Sequence, residues 1–89
     1  MQIKEIHYNS DFISQFNLLP WEIKKKAIKA ENLFKANPFY PSLRLHKLRG
    51  KLKDFWSISI DYKYRIIFRI LNDGVVVFFT VGLHAIYDQ

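Results

Sequence analysis

The chain has 89 residues, 49% of them hydrophobic and 17% aromatic, which suits one packed domain over residues 1–89 and leaves too little chain for a second. Fourteen Lys and Arg against eight Asp and Glu give a formal net charge of +6, which favours an acidic or polyanionic partner. The lack of cysteine excludes disulfides and thiolate metal sites, and no apolar run approaches the roughly 20 residues of a membrane span. We therefore expect a globular cytoplasmic protein.

The first part of the chain has the pattern of a short strand followed by a short helix. Residues 2–8 form the expected strand. Asn9 and Ser10 then provide N-cap chemistry for a helix over residues 11–17.

A second helix is predicted between two prolines. Pro20 suits its first turn, and the sequence NPFYP ends it near Asn37. Apolar residues recur inside it at steps of four, three and four, which makes one continuous apolar stripe. The stripe consists of Ile23, Ala27, Ala30 and Phe34.

From Phe55 onward the pattern changes from helical to alternating, which predicts three antiparallel strands. The first is WSISI at 56–60, the second is YRIIFRI at 64–70, and the third is VVVFFTVGLH at 75–84. The NDG sequence before the third strand is a strong hairpin signal.

Loop lengths determine which strand residues share a face. A three-residue loop at 61–63 keeps the isoleucines of the first two strands together and leaves a polar set opposite them: Ser57, Ser59, Arg65 and Arg69. A two-residue turn in NDG adds to that polar face Val76, Phe78, Thr80 and His84. The same turn sends to the core side Val77, Phe79, Val81 and Leu83.

These elements predict an α+β fold. Two N-terminal helices pack on one face of a mainly antiparallel four-stranded sheet, and the other face remains open and basic.

Basic residues precede the strands and continue onto the open face. The set consists of His46, Lys47, Arg49, Lys51, Lys53, Arg65 and Arg69. Such a surface suits phosphate oxygens, which attract cations and accept bidentate hydrogen bonds from guanidinium groups. A solvated charged segment is the alternative interpretation.

Histidines and aromatic residues add possible chemistry to this surface. Two histidines meeting at a phosphodiester can act as general base and general acid, although a histidine taken singly is more often structural or merely exposed. The three histidines lack HxxxH or HxH spacing, so we expect no metal and no cofactor. Tyr87 and Trp56 are candidates for stacking on bases. Trp56 lies two residues from Ile58 in the same strand, however, so we expect it on the core side of the sheet.

The run LHKLRGKLKDFWSISIDYKYRIIFRI at 45–70, followed by DG and by VGLHAIY at 81–87, resembles the RelE/ParE superfamily of small bacterial toxins from toxin–antitoxin pairs. The resemblance covers nearly the whole chain. Similarity to the RelE, YoeB and YafQ branches implies a metal-free, ribosome-dependent endoribonuclease that cleaves mRNA in the ribosomal A site. It also implies neutralisation by a cognate antitoxin, which we expect to be an acidic, partly disordered segment folding over the basic face.

The resemblance assigns roles to four residues. His46 lies where these nucleases place a Glu or His base, and Arg65 matches the arginine that contacts the scissile phosphate. His84 matches a histidine proposed as the general acid, and Tyr87 matches a terminal aromatic residue that orients the RNA. The sequence departs from RelE itself, which uses lysines and a second arginine. The ParE branch has the same fold and poisons DNA gyrase, so a non-catalytic toxin is the alternative.

Overall fold

The computed structural model describes residues 1–84. They form two helices, α1 (Ser10–Asn17) and α2 (Trp21–Ala36). They also form five strands: β1 (Glu5–Tyr8), β2 (His46–Lys47), β3 (Trp56–Ser59), β4 (Tyr64–Asn72) and β5 (Val75–Leu83). The strands make one mixed sheet in the order β1-β5-β4-β3-β2, in which β1 runs parallel to β5 and the other neighbours are antiparallel. Within these 84 residues, neither helix is long and apolar enough to cross a membrane.

The α+β class is confirmed, and the predicted number of strands is wrong. We predict four strands from the sequence, whereas the sheet has five. The missed strand is β2, whose two residues, His46 and Lys47, are too few to show an alternating pattern. The first strand is also shorter than predicted, because Glu5–Tyr8 alone pairs with β5.

Both helices begin and end close to the predicted positions. The side-chain oxygen of Asn9 accepts a hydrogen bond of 2.9 Å from the backbone N–H of Phe12 and caps α1. The apolar stripe of α2 faces the sheet, and Ala27, Ala30 and Phe34 are buried. Asn37 caps the C-terminal end of α2, as the following proline indicates.

Aromatic side chains fill the core between the helices and the sheet. The ring of Phe34 lies 5.0 Å from that of Phe68 and 5.8 Å from that of Phe78, while Phe12 of α1 lies 5.3 Å from Phe78. Burial of each ring stabilises the fold by about 1.5–3 kcal/mol. The helices are therefore held on one face of the sheet by contacts that β4 and β5 provide.

The pairing of β4 with β5 contains two irregularities that the sequence pattern does not reveal. Ile70 pairs with Val76 while Asn72 pairs with Val75, so Leu71 is an extra residue in β4. Further along, Ile67 pairs with Thr80 while Phe68 pairs with Phe78. One extra residue on each strand shifts the register and then restores it.

Because of these two bulges, part of the predicted face assignment is wrong. An unbroken register predicts that Val76 and Phe78 lie on the arginine face, whereas both lie in the core. Val77 instead pairs with Arg69, and the ring of Phe79 lies 5.0 Å from that of Phe55, on the side of the sheet away from the helices. Leu83 lies beyond the shifted region and keeps the predicted side, since it pairs with Tyr64, but it is 44% exposed at the end of β5.

Outside the shifted region the predicted faces are confirmed. Ile60 donates its N–H to the carbonyl of Tyr64, which closes the three-residue loop at 61–63. Ile58 pairs with Ile66 in the core, and Val81 is buried beside them.

The turn between β4 and β5 also receives the start of β1. Asp73 and Gly74 both have positive φ angles, 29° and 85°, which is the backbone of a two-residue hairpin turn. The carbonyl of Gly74 accepts hydrogen bonds from the N–H groups of Lys4 and Glu5. A Cβ atom at Gly74 would lie 2.4 Å from the carbonyl oxygen of Gln2.

We predict that Gly74→Ala destabilises the fold more than Gly50→Ala. Gly50 also has a positive φ, 65°, but a Cβ atom there would meet nothing within 4 Å, so only the backbone strain of about 1–2 kcal/mol applies. At Gly74 the clash adds about 1–3 kcal/mol. Urea unfolding of the two variants measures the difference, and equal losses would contradict the tight docking of β1.

Candidate functional site

Arg65 lies at the centre of the sheet face that the helices leave uncovered. It pairs with Ser59 of β3 on one side and with Gly82 of β5 on the other. The N–H of His84 donates a 2.7 Å hydrogen bond to the carbonyl of Lys63, so the same register continues past the end of β5. His84 is therefore the diagonal neighbour of Arg65, at a Cβ separation of about 7–8 Å.

His46 belongs to the same face because β2 pairs with β3. Its cross-strand partner is Ser57, whose partner on β4 is Ile67, two residues from Arg65. Two strand spacings and two residues along the strand give a Cα separation between His46 and Arg65 of about 12 Å. The structure thus brings His46, Arg65 and His84 to one side of the sheet.

A backbone carbonyl fixes the orientation of the His46 ring. Nδ1 lies 3.0 Å from the carbonyl oxygen of Arg44. Because a carbonyl only accepts hydrogen bonds, Nδ1 carries the proton in the neutral ring and Nε2 keeps its lone pair. His46 is exposed, so Nε2 is presented as a proton acceptor.

The carbonyl that contacts His46 depends on an unusual backbone conformation. Arg44 has φ 48° and ψ 47°, in the left-handed region, at the end of the short 3-10 helix Pro41–Leu43. A non-glycine residue in this region costs about 1–2 kcal/mol. Sequence reasoning missed Arg44, because arginine carries no local signal for left-handed backbone.

The turn between β3 and β4 holds the Arg65 side chain. Nη1 of Arg65 donates hydrogen bonds to the carbonyl oxygens of Asp61, at 2.7 Å, and of Tyr64, at 3.2 Å. The carboxylate of Asp61 in turn accepts 2.9 Å bonds from the backbone N–H groups of Lys63 and Tyr64 and pairs with Lys26 of α2 at 3.5 Å. Burial raises the pKa of Asp61, but those two hydrogen bonds and the Lys26 charge together lower it by more, so the net pKa lies below its ordinary value.

The basic segment lies beside this face in an exposed loop. Arg49 and Lys53 flank the 3-10 helix Gly50–Leu52, which contains Lys51, and all three basic residues are exposed. Arg69 is also exposed, and its guanidinium lies 5.9 Å from the Phe55 ring centroid. Lys47 pairs with Trp56, so it lies on the helix side of the sheet edge, opposite His46.

The predicted polar face is less open than the sequence suggests. Ser57 and Ser59 lie on the Arg65 side as predicted, but they are only 2% and 5% exposed. Ile67 and Leu48 are buried outside the main core cluster. Trp56 packs against that core, which confirms the predicted placement of its side chain on the core side. Tyr87 lies outside the described residues.

An apolar groove of about 230 Å³ opens on the opposite side of the protein, between α1 and α2. Its ionisable groups are Tyr8 and Glu31, whose side chains are hydrogen-bonded to each other. Burial raises the pKa of Tyr8, and the hydrogen bond and charge of Glu31 raise it further.

Within residues 1–84, no three His, Asp or Glu side chains are placed to hold a metal ion together. The candidate residues His46, Arg65 and His84 lie instead on the Arg65 face, away from the apolar groove.

We predict that the neutral His46 ring carries its proton on Nδ1, which ¹⁵N NMR of the imidazole measures directly. Arg44→Asn should keep this tautomer, because asparagine tolerates left-handed backbone, whereas Arg44→Val should mix the two tautomers. A predominant Nε2–H tautomer in the unsubstituted protein would contradict the geometry.

Comparison with solved structures places this fold among small toxins. YafQ from E. coli strain BL21(DE3) is 20% identical, with a TM-score of 0.77 over 99% of this chain and 100% of that one. A YoeB/ParE toxin from Agrobacterium tumefaciens is 16% identical, with a TM-score of 0.74 over 91% of this chain and 99% of that one. The toxin–antitoxin complex RelBE2 from Mycobacterium tuberculosis contains a chain 19% identical, with a TM-score of 0.76 over 93% of each chain.

Sequence comparison gives the family directly. No curated protein matches the chain. A family model described as the RelE-like toxin of the type II toxin–antitoxin system HigB matches residues 21–84, which include both helix α2 and the four strands β2 to β5. The chain therefore belongs to the HigB-like family of RelE-like type II toxins.

Proposed function

We propose that this toxin is a ribosome-dependent mRNA endoribonuclease that acts in the cytoplasm without a metal ion. The observation that carries the proposal is the placement of His46, Arg65 and His84 on one sheet face, with the Nε2 lone pair of His46 exposed. This set supplies a base, a cation and an acid, the three groups that RNA cleavage by internal transfer needs.

The proposed reaction uses one group for each proton or charge. Nε2 of His46 takes the proton of a ribose 2′-OH, and the 2′-oxygen attacks the adjacent phosphorus. The guanidinium of Arg65 stabilises the charge that develops on the phosphate oxygens. The bond from phosphorus to the 5′-oxygen breaks, and His84 gives that oxygen a proton. The products are a 2′,3′-cyclic phosphate and a 5′-OH end.

Dependence on the ribosome and cleavage of mRNA at the A-site codon are proposed from the resemblance of the sequence to the RelE, YoeB and YafQ branches. The basic surface is consistent with a phosphate-rich target, since Arg49, Lys51, Lys53 and Arg69 are all exposed. The proposed RNA-binding set also contains Ser57 and Ser59, which are buried on the Arg65 side of the sheet, and Lys47, which lies at the sheet edge on the helix side. Tyr87 completes the proposed set as the aromatic residue that orients the RNA.

We predict that Arg65→Ala and His46→Ala each lower RNA cleavage by about 10²-fold or more, since each removes a group needed in the transition state. His84→Ala should behave similarly. Mapping mRNA 5′ ends after induction of each variant measures the loss. His7→Ala is the matched control, because His7 shares the face through its pairing with Val77 but lies at the far edge of the sheet, two strands from β4 and away from Arg65.

Two results would contradict the proposal. The first is arrested growth with intact mRNA in cells that express the unsubstituted toxin. The second is full toxicity of the His46→Ala and His84→Ala variants together with DNA damage signalling, which is the outcome for a gyrase inhibitor of the same fold.

A cognate antitoxin is the second part of the proposal. Solved neighbours of this fold include complexes of toxin with antitoxin, DinJ–YafQ from E. coli and RelBE2. An acidic segment folded over Arg65 and the basic loop would neutralise charge and block the site.

We predict that the product of the adjacent open reading frame co-purifies with this chain and restores growth. Salt should weaken the complex, because part of the attraction is between charges. Absence of any co-purifying product would overturn this part.

A further inference from the structure

The turn between β3 and β4 contacts two of the residues that we propose for catalysis. The carbonyl oxygens of Asp61 and Tyr64 accept hydrogen bonds from Nη1 of Arg65, at 2.7 and 3.2 Å. The carbonyl oxygen of Lys63 accepts a 2.7 Å hydrogen bond from the backbone N–H of His84. The position of the guanidinium and the position of the end of β5 therefore both depend on the conformation of this turn.

The two bonds from the turn hold one arm of the Arg65 guanidinium. Nη1 carries two hydrogens, and two carbonyl oxygens lie within hydrogen-bond distance of it. Arginine has a long side chain with many rotamers, so a guanidinium that is fixed before the substrate arrives loses less freedom in the transition state. A carbonyl oxygen is uncharged, so these bonds fix the guanidinium without cancelling its positive charge.

Asp61 fixes the turn through its side chain. Oδ1 accepts 2.9 Å hydrogen bonds from the backbone N–H groups of both Lys63 and Tyr64. An aspartate side chain that bonds to the main chain two or three residues later is a common way to close a tight turn. Oδ2 lies 3.5 Å from Nζ of Lys26 on α2, which ties the turn to the helix layer. One residue thus supplies a carbonyl for Arg65 and the side-chain bonds that keep that carbonyl in place.

Packing contributes little to the conformation of the turn. Tyr62 at its tip is 75% exposed, and Lys63 is exposed as well. The N–H of Ile60 donates to the carbonyl of Tyr64 and closes the base of the loop. That bond leaves the peptide groups between Asp61 and Tyr64 to be fixed by the Asp61 carboxylate.

We propose that Asp61 is a positioning residue, which fixes the β3–β4 turn so that its carbonyls hold the Arg65 guanidinium and the end of β5 at His84. The effect of Asp61 on cleavage rests on the proposed function. Its effect on Arg65 does not, because the hydrogen bonds to the guanidinium exist without a substrate.

The first test measures cleavage of mRNA on ribosomes by two variants of Asp61. Asp61→Ala removes the side-chain acceptor, so we expect kcat to fall about tenfold with little change in KM, since the group that is misplaced acts in the transition state. Asp61→Asn should keep kcat, because the amide oxygen can accept the same two N–H bonds.

Asp73→Ala is the matched control. Asp73 lies in the turn at the other end of β4, where its carboxylate pairs with Lys4 at 2.9 Å. Its φ of 29° is also unfavourable for alanine. Urea unfolding should show that Asp73→Ala and Asp61→Ala both lower the midpoint, whereas Asp73→Ala should leave kcat unchanged.

NMR of the Arg65 guanidinium gives a readout that a loss of stability alone does not move. Hydrogen bonds to Nη1 slow rotation about the bond from Cζ to Nη1, so the unsubstituted protein and Asp61→Asn should show separate Hη resonances. Asp61→Ala should show averaged ones.

Three results would overturn the proposal. The first is an unchanged kcat in Asp61→Ala, and the second is a loss of kcat in that variant with separate Hη resonances retained. The third is an equal loss of kcat in Asp61→Ala and Asp73→Ala, since Asp61 would then act through stability alone. Failure of the endoribonuclease proposal looks different: the unsubstituted protein would leave mRNA intact, while the Hη resonances would still respond to Asp61→Ala.

Discussion

The pairing between β4 and β5 is the constraint on which the rest of this structure depends. It joins the two longest strands, supplies Phe68 and Phe78 to the core, and sets the side of the sheet on which each polar residue lies. Two bulges, at Leu71 and Phe79, offset each other by one residue. Between them Val76 and Phe78 turn to the helices, and beyond them Thr80 and Gly82 lie with Arg65.

This arrangement separates hydrophobic packing from charge. The rings of Phe12, Phe34, Phe68 and Phe78 pack between the helices and one sheet face. Arg65 and Arg69 lie on the other face, where their charges avoid most of the cost of burial. Leu48, Ile67, Phe55 and Phe79 give that second face a small apolar area of its own. The face is therefore a basic surface with a packed floor, which suits a site that must hold its polar groups in place.

The features that the sequence predicts well are those determined by near neighbours along the chain. The Asn9 cap, the stripe of α2, the three-residue loop at 61–63 and the Asp73–Gly74 turn all have local signals, and all occur in the structure. Membership of the toxin superfamily follows from the motifs of the C-terminal half, and the family match confirms it.

The features that the sequence does not predict depend on contacts between distant residues. β1 pairs with β5 in parallel although 66 residues of chain separate them, and β2 becomes a strand only because β3 lies beside it. A bulge changes which face a side chain occupies without any marker such as glycine at Leu71 or Phe79. The left-handed backbone of Arg44 is likewise fixed by the fold, and it determines which nitrogen of His46 is presented.

The central claim is that the Arg65 face cleaves RNA by internal transfer. Incubation of the purified toxin with ribosomes carrying a defined mRNA, followed by analysis of the fragment ends, tests it most directly. The proposed roles of His46, Arg65 and His84 predict fragments that end in a 2′,3′-cyclic phosphate and a 5′-OH, and the proposed ribosome dependence predicts that the cuts fall within the A-site codon. Fragments with a 3′-OH and a 5′-phosphate, or an uncut message, would contradict it.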